Sequence, residues 1–253
     1  MQELKENCVT RWFGSAFNQL DPLLQDLHRN GGSLVGEVEI KLGSGKLAHW
    51  LGQRLAKKLG VPIDTPQCLF EVDISHTDNT LIWSRSFNGK MMVSCFEPVG
   101  HYPSGYWTET TGDISLQLGV DILQGAWHWQ RRCTLWKGRA LPNWFMPMTL
   151  AYKCIDQQQY VFDVSIQQPQ FGVLLEYAGR LQPDDRPPWL KYPNTESFWG
   201  GWRQGNSEDW LHRRWFPLWN QLSAPDKLAY LEKYPPPENW QHWMNVRTQR
   251  AGL

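Results

Sequence analysis

Residues 68–96 read CLFEVDISHTDNTLIWSRSFNGKMMVSCF, and the alternation in this stretch decides the fold class. Cys68, Phe70, Val72 and Ile74 fall on one side of an extended chain, and Glu71, Asp73 and Ser75 on the other. Successive side chains of a strand point to opposite faces, so the pattern is that of a sheet with one buried side. Leu81, Trp83, Arg85 and Phe87 share one face of the next strand. Asn88-Gly89 follows, and both positions tolerate the positive φ that a two-residue hairpin turn requires. Met91, Val93 and Cys95 carry the returning strand.

Toward the C-terminus the period of two persists. Ile114, Leu116, Leu118, Val120 and Ile122 form one apolar row, and Trp127, Trp129, Arg131, Cys133 and Leu135 the next. Met148, Leu150, Tyr152 and Cys154 read as the apolar face of a further strand, which an Asp156–Gln159 turn joins to Tyr160, Phe162, Val164 and Ile166. Phe171, Val173, Leu175, Tyr177, Gly179 and Leu181 close the series. Turns this short allow only antiparallel neighbours, because a parallel crossover needs a dozen or more residues.

Toward the N-terminus, Leu34, Gly36, Val38, Ile40 and Leu42 alternate with charged residues as another strand. Asp21–Arg29, with Leu23, Leu24 and Leu27, predicts a short helix stopped by Gly31-Gly32. Ser44 is placed to cap a longer helix to Gly60 whose apolar side is Leu47, Trp50, Leu51, Leu55 and Leu59. The expected fold class is therefore α+β: a large curved antiparallel sheet, half-barrel or helix-grip in form, packed on that one long helix. The expected domains are residues 1–181 as the sheet domain with two early helices and 182–188 as a linker. Residues 189–253 then form a Trp-rich helical extension packed on the sheet. In that extension Pro217 should kink a helix through Leu211, Trp215, Leu218 and Leu222. Ser223 with Asp226 opens another helix to Tyr234, and Trp240, Trp243, Met244 and Arg247 mark a last one.

Charge and composition exclude several classes of function. The chain has 253 residues with 25 basic and 25 acidic side chains, so no long-range field gathers phosphates and nucleic acid is not an expected partner. The N-terminal MQELKENCVTRWFG lacks a basic segment followed by an apolar run, and no apolar stretch approaches the roughly 18 residues that span a bilayer. A soluble, cytoplasmic protein is expected. Five scattered cysteines without CxxC spacing indicate neither a disulfide framework nor a zinc site. Gly43-Ser44-Gly45-Lys46 lacks the spacing of a phosphate loop, and the seven histidines never pair at helical spacing, so neither a cofactor nor a metal is expected.

The chemistry-bearing feature is polarity intruding on apolar faces. Arg85 lies among Leu81, Trp83 and Phe87, and Arg131 among Trp127, Trp129 and Cys133. A buried guanidinium needs a partner because stripping it of water costs several kcal/mol. Glu109, beside Trp107, is the first choice for Arg85, with Asp163 and Glu176 on the opposite strand phase. The candidate ligand-binding residues are Arg85, Glu109, Arg131, Trp83, Tyr177 and His28.

One run of residues resembles a bacterial family of domains of unknown function numbered 4166. It comprises Leu27-His28, Gly36-Glu37, Gly43-Ser44-Gly45 and Trp83-Ser84-Arg85-Ser86-Phe87 with Gly89 and Ser94. It continues through Glu109 with Gly112, Leu141-Pro142 with Pro147, Phe162-Asp163-Val164, Pro169, Gly172 and Tyr177-Ala178-Gly179-Arg180-Leu181, covering about residues 21–181. The resemblance implies no activity and transfers no catalytic residue. Members often accompany saccharopine-dehydrogenase-like reductase domains, which are not found in this sequence. The expected function is a binding module for a small apolar or amphipathic ligand, without catalytic machinery of its own. The alternatives are an enzyme on a small anionic substrate, with Arg85 as anchor and Glu109 or His28 in acid–base roles, and an interaction module using the aromatic C-terminal segment.

Overall fold

The computed structural model describes residues 6–142, 144 and 146–250. Residues 1–5, part of the N-terminal stretch read above, and the side chain of Arg247 lie outside the described residues. The alternating segments form β1 (Gly32–Leu42), β2 (Gln67–His76), β3 (Leu81–Phe87), β4 (Lys90–Val99), β5 (Tyr106–Thr111) and β6 (Ile114–Leu123). They continue as β7 (Ala126–Trp136), the two-residue β8 (Arg139–Ala140), β9 (Met148–Asp156), β10 (Gln159–Gln168) and β11 (Gly172–Pro183). Each pairs antiparallel with its successor, except that β8 attaches only to β7, which pairs directly with β9. β1 then pairs antiparallel with β11, from Leu34 opposite Pro183 to Leu42 opposite Leu175. Ten strands therefore close into an up-and-down barrel, with β8 appended.

The expected half-barrel gripping one long helix does not form. A sheet wrapped on a helix keeps two free edges, whereas closure pairs every edge. The interior is filled by the sheet's own side chains. Leu34, Val38, Phe70, Val72, Ile74, Leu81, Phe87, Phe96, Trp107, Trp127, Trp129, Leu175 and Tyr177 belong to one buried core.

Two strand phases differ from those expected. On β9, Met148, Leu150 and Tyr152 are exposed, whereas Ala151 and Lys153 stand opposite the inward-facing Trp129 and Trp127. On β7 the expected face holds through Arg131, but a register shift opposite Gln117 and Leu118 adds one residue to the strand. Beyond the shift Thr134, rather than Cys133 or Leu135, is fully buried. A bulge of this kind reverses the phase of all that follows.

By internal contacts the chain comprises two compact units, Met1–Pro183 and Asp184–Leu253. The second has its own aromatic core of Trp189, Trp202, Trp210, Leu211, Trp215, Trp219, Tyr230, Trp240, Trp243 and Met244. The Trp215 indole donates to the Tyr230 hydroxyl at 2.9 Å, and that hydroxyl donates to the Asp185 carbonyl at 2.7 Å. Pro217 falls in the first turn of the helix Phe216–Gln221, directly after a π-turn at Leu211–Trp215. The wider turn accommodates the amide hydrogen bond that proline cannot make. Ser223 caps the helix Ala224–Lys233 by accepting from the Asp226 amide. The Asp184 carboxyl is almost wholly buried; burial alone would raise its pKa, but Arg186 and Lys191 hold it below the ordinary value.

Three helices complete the barrel unit. α1 (Cys8–Phe13), which the pattern did not reveal, is capped by Asn7. α2 (Pro22–Asn30) is capped by Asp21. Both pack over the barrel end where Trp107 and Trp127 lie. Trp12 meets Trp107 at 5.3 Å and Phe13 meets Trp127 at 4.8 Å between ring centroids. α3 (Lys46–Leu59) begins after Gly45, and Ser44 makes no cap bond. It lies against β11 and β1, but its buried stripe is Ala48, Gly52 and Ala56, while Leu47 and Trp50 are exposed. Small residues are required there because a Cβ on Gly52 would lie 2.1 Å from the Leu174 carbonyl oxygen. In an unpacked helix Gly→Ala stabilises by about 1 kcal/mol. Gly52→Ala should instead destabilise, by about 1–3 kcal/mol, because backbone rather than a flexible side chain must give way. Urea unfolding measures it, and a stabilised variant would show that α3 does not pack as described.

Candidate functional site

The polar groups inside the barrel arise from three places. α2 begins at its Asp21 cap and turns His28 inward, where Asn7 fixes the helix end by donating to the His28 and Arg29 carbonyls at 3.0 Å each. His28 is fully buried, and its Nε2 hydrogen-bonds the Lys153 amine on β9. That amine also lies 4.0 Å from the ring centroid of Trp127 and 4.3 Å from that of Trp83. The rings attract a cation, whereas enclosure in low dielectric expels its charge. Burial lowers the Lys153 pKa well below the ordinary lysine value, and no carboxylate among the described residues opposes it. His28 is likewise held well below its usual value, by burial first and then by Lys153 and His76. Burial thus favours the uncharged form of both the amine and the imidazole.

Farther along the wall, Arg85 on β3 hydrogen-bonds Ser94 on the neighbouring strand and reaches Glu109 only at 4.0 Å. Their side chains keep 13% and 20% of their accessible surface, so the pair is enclosed but not sealed. Tyr177 on β11 lies against Arg85, and burial raises its hydroxyl pKa even though the guanidinium pulls it down. Arg131 donates to Thr134 at 3.0 Å. What stands out is which atoms lack partners. Arg85 Nε, Arg131 Nε and the indole nitrogens of Trp83, Trp107 and Trp127 are buried without a hydrogen-bond partner in the protein. All five are donors.

The barrel holds a cavity of about 70 Å³, lined mainly by carbon from residues such as Leu24, Leu27, Phe70 and Phe162, with Trp83, Arg85 and Lys153 in its wall. Lys153 is among the residues that line the cavity, and its amine is enclosed by His28, Trp83 and Trp127. Among the described residues no three His, Cys, Asp or Glu side chains gather as a metal site would need.

Of the candidates named from sequence, Trp83, Arg85 and Tyr177 line this cavity together, with Glu109 4.0 Å from Arg85. His28 approaches from the capped end and Arg131 sits on β7 beside Thr134. Lys153 escaped that reading because Tyr152 and Cys154 outrank it in hydrophobicity, which pointed to the opposite face of β9. The available signal was the pairing of Ala151 and Lys153 with the Trp129 and Trp127 face, which only register supplies.

A lysine neutral in the fold is protonated in the unfolded chain below about pH 10.4. Folding therefore loses stability as pH falls from that value toward neutrality. Lys153→Met removes the loss while keeping the stem. It should raise the melting temperature at pH 7, by about 2–4 °C for each kcal/mol relieved, and the gain should shrink toward pH 10. Calorimetry at the two pH values decides: a lower melting temperature at pH 7 would mean that the indole rings hold the amine charged.

Among the described residues, no helix is long and apolar enough to cross a membrane. No curated protein matches the chain. The family model for a domain of unknown function, DUF4166, matches residues 20–181, which span β1 through nearly all of β11 together with α2 and α3. The match covers well over half of the sequence and nearly all of the barrel, so the chain belongs to the DUF4166 family.

Proposed function

We propose that the barrel binds a small amphipathic molecule whose hydrocarbon part occupies the cavity and whose acceptor oxygens face Arg85. The surplus of enclosed donors carries this reading. A buried donor without an acceptor costs roughly 1–3 kcal/mol, and two of them, Arg85 Nε and the Trp83 indole nitrogen, belong to residues that line the apolar cavity. A carboxylate supplies several acceptor sites, and guanidinium is its natural partner. Arg85 and Arg131 also outnumber Glu109 among the inward-facing charges described above. A space of about 70 Å³ admits a handful of water-sized groups, which suits a chain of about six heavy atoms rather than a long lipid.

Hexanoate is a suitable probe, because Trp83 and Trp129 in the cavity wall should report its entry by a change in indole fluorescence. Saturable binding is expected, and Arg85→Met should weaken it about ten-fold or more while its circular dichroism and melting remain near those of the parent. No saturable signal with the parent chain, or equal affinity in a folded Arg85→Met variant, would overturn the assignment.

A further inference from the structure

We infer that Lys153 is a nucleophilic amine that captures small apolar aldehydes as reversible imines inside the barrel, an inference resting on the binding reading above. Four observations converge on it. Lys153 is one of the residues that form the wall of the carbon-lined cavity. Its one described hydrogen-bond partner is His28, itself neutral, so no carboxylate is positioned to keep it as ammonium. The charged and titratable groups near it are the bases His28 from α2, His76 on β2 through its effect on His28 and Arg85 across the cavity, together with the hydroxyls of Tyr160 and Tyr177, whose pKa values burial raises. Trp83 and Trp127 hold the nitrogen 4.3 and 4.0 Å from their ring centroids, and Trp83 shares the cavity wall with Lys153. A desolvated lysine is the residue that proteins use for such chemistry.

The step balances without an external reagent. The Nζ lone pair forms a bond to the aldehyde carbon, and the carbonyl π electrons move to oxygen. A proton passes from nitrogen to that oxygen, giving a carbinolamine. His28 Nε2, in hydrogen-bond contact with Nζ, is the group placed to relay this proton. The remaining N–H proton then passes to the hydroxyl, which departs as water while the nitrogen lone pair closes the C=N bond. Amine and aldehyde give imine and water, and hydrolysis reverses the sequence. When the imine nitrogen is protonated its charge sits against both indole faces, where cation–π attraction stabilises it.

The test uses the full chain with hexanal and sodium cyanoborohydride at pH 7, followed by peptide mass mapping. The trapped hexyl adduct is expected on Lys153 at least about ten-fold faster than on the exposed Lys41 and Lys137. The advantage should fade as pH approaches 10, and hexanoate should slow labelling at Lys153 alone. His28→Asn should reduce the Lys153 rate while leaving Lys41 and Lys137 unchanged. If hexanoate binds but Lys153 is labelled no faster than the exposed lysines, the imine chemistry is wrong and the binding reading survives. If Lys153 is labelled selectively but hexanoate neither binds nor protects, the amphipathic-ligand reading fails instead.

Discussion

The pairing of β1 with β11 is the constraint on which the rest depends. Without it the strands form a curved sheet with two edges, and the faces carrying Arg85 and Lys153 open to water. Pairing Leu34–Leu42 with Leu175–Pro183 completes the wall and desolvates both side chains. Gly36 and Gly179 allow this close approach. A Cβ on Gly36 would lie 2.2 Å from the Arg180 carbonyl oxygen, and one on Gly179 would lie 2.5 Å from that of Glu37. The perturbed lysine and histidine follow from closure, since burial is the leading cause of both shifts.

A closed barrel filled only for stability would satisfy its enclosed polar groups or lack them. This one sets Arg85, Lys153 and the unpartnered Trp83 indole nitrogen in the wall of an apolar space. Glu109 is the carboxylate nearest Arg85, and at 4.0 Å it stands outside hydrogen-bond range. The arrangement therefore favours a guest that brings oxygen atoms. The same enclosure that makes these donors costly to leave unpaired makes each bond to such a guest strong.

Much of this architecture was legible in local pattern. The strands follow from period-two alternation, and the β3–β4 turn from Asn88-Gly89, where Asn88 does adopt a positive φ of 48°. The inward placement of Trp83, Arg85 and Glu109 also follows from phase. Closure was not legible, because it joins residues at the two ends of the barrel segment and no local signal encodes that contact. Nor was the β7 bulge, which arises from how two strands fit. The β9 phase was misread for a related reason: hydrophobicity assigns Leu150 and Tyr152 to the core, whereas register with β7 turns Lys153 inward. The small stripe of α3 was missed because its burial comes from backbone approach rather than from large side chains.

The position of α2 joins access to chemistry. This helix contributes Leu24 and Leu27 to the cavity wall and His28 to the Lys153 amine, so one element both covers the ligand space and sets the environment of the nucleophile. It is tied down along its length: the Asn7 side chain donates to its C-terminal carbonyls, the Asp21 amide donates to the Gly125 carbonyl at the β6–β7 turn, and the Tyr160 hydroxyl donates to the Leu23 carbonyl at 3.2 Å. These bonds hold His28 against the Lys153 amine and keep Leu24 and Leu27 in the cavity wall. Burial, the leading cause of the lowered pKa of both nitrogen groups, therefore depends on the seat of α2 as much as on closure of the sheet.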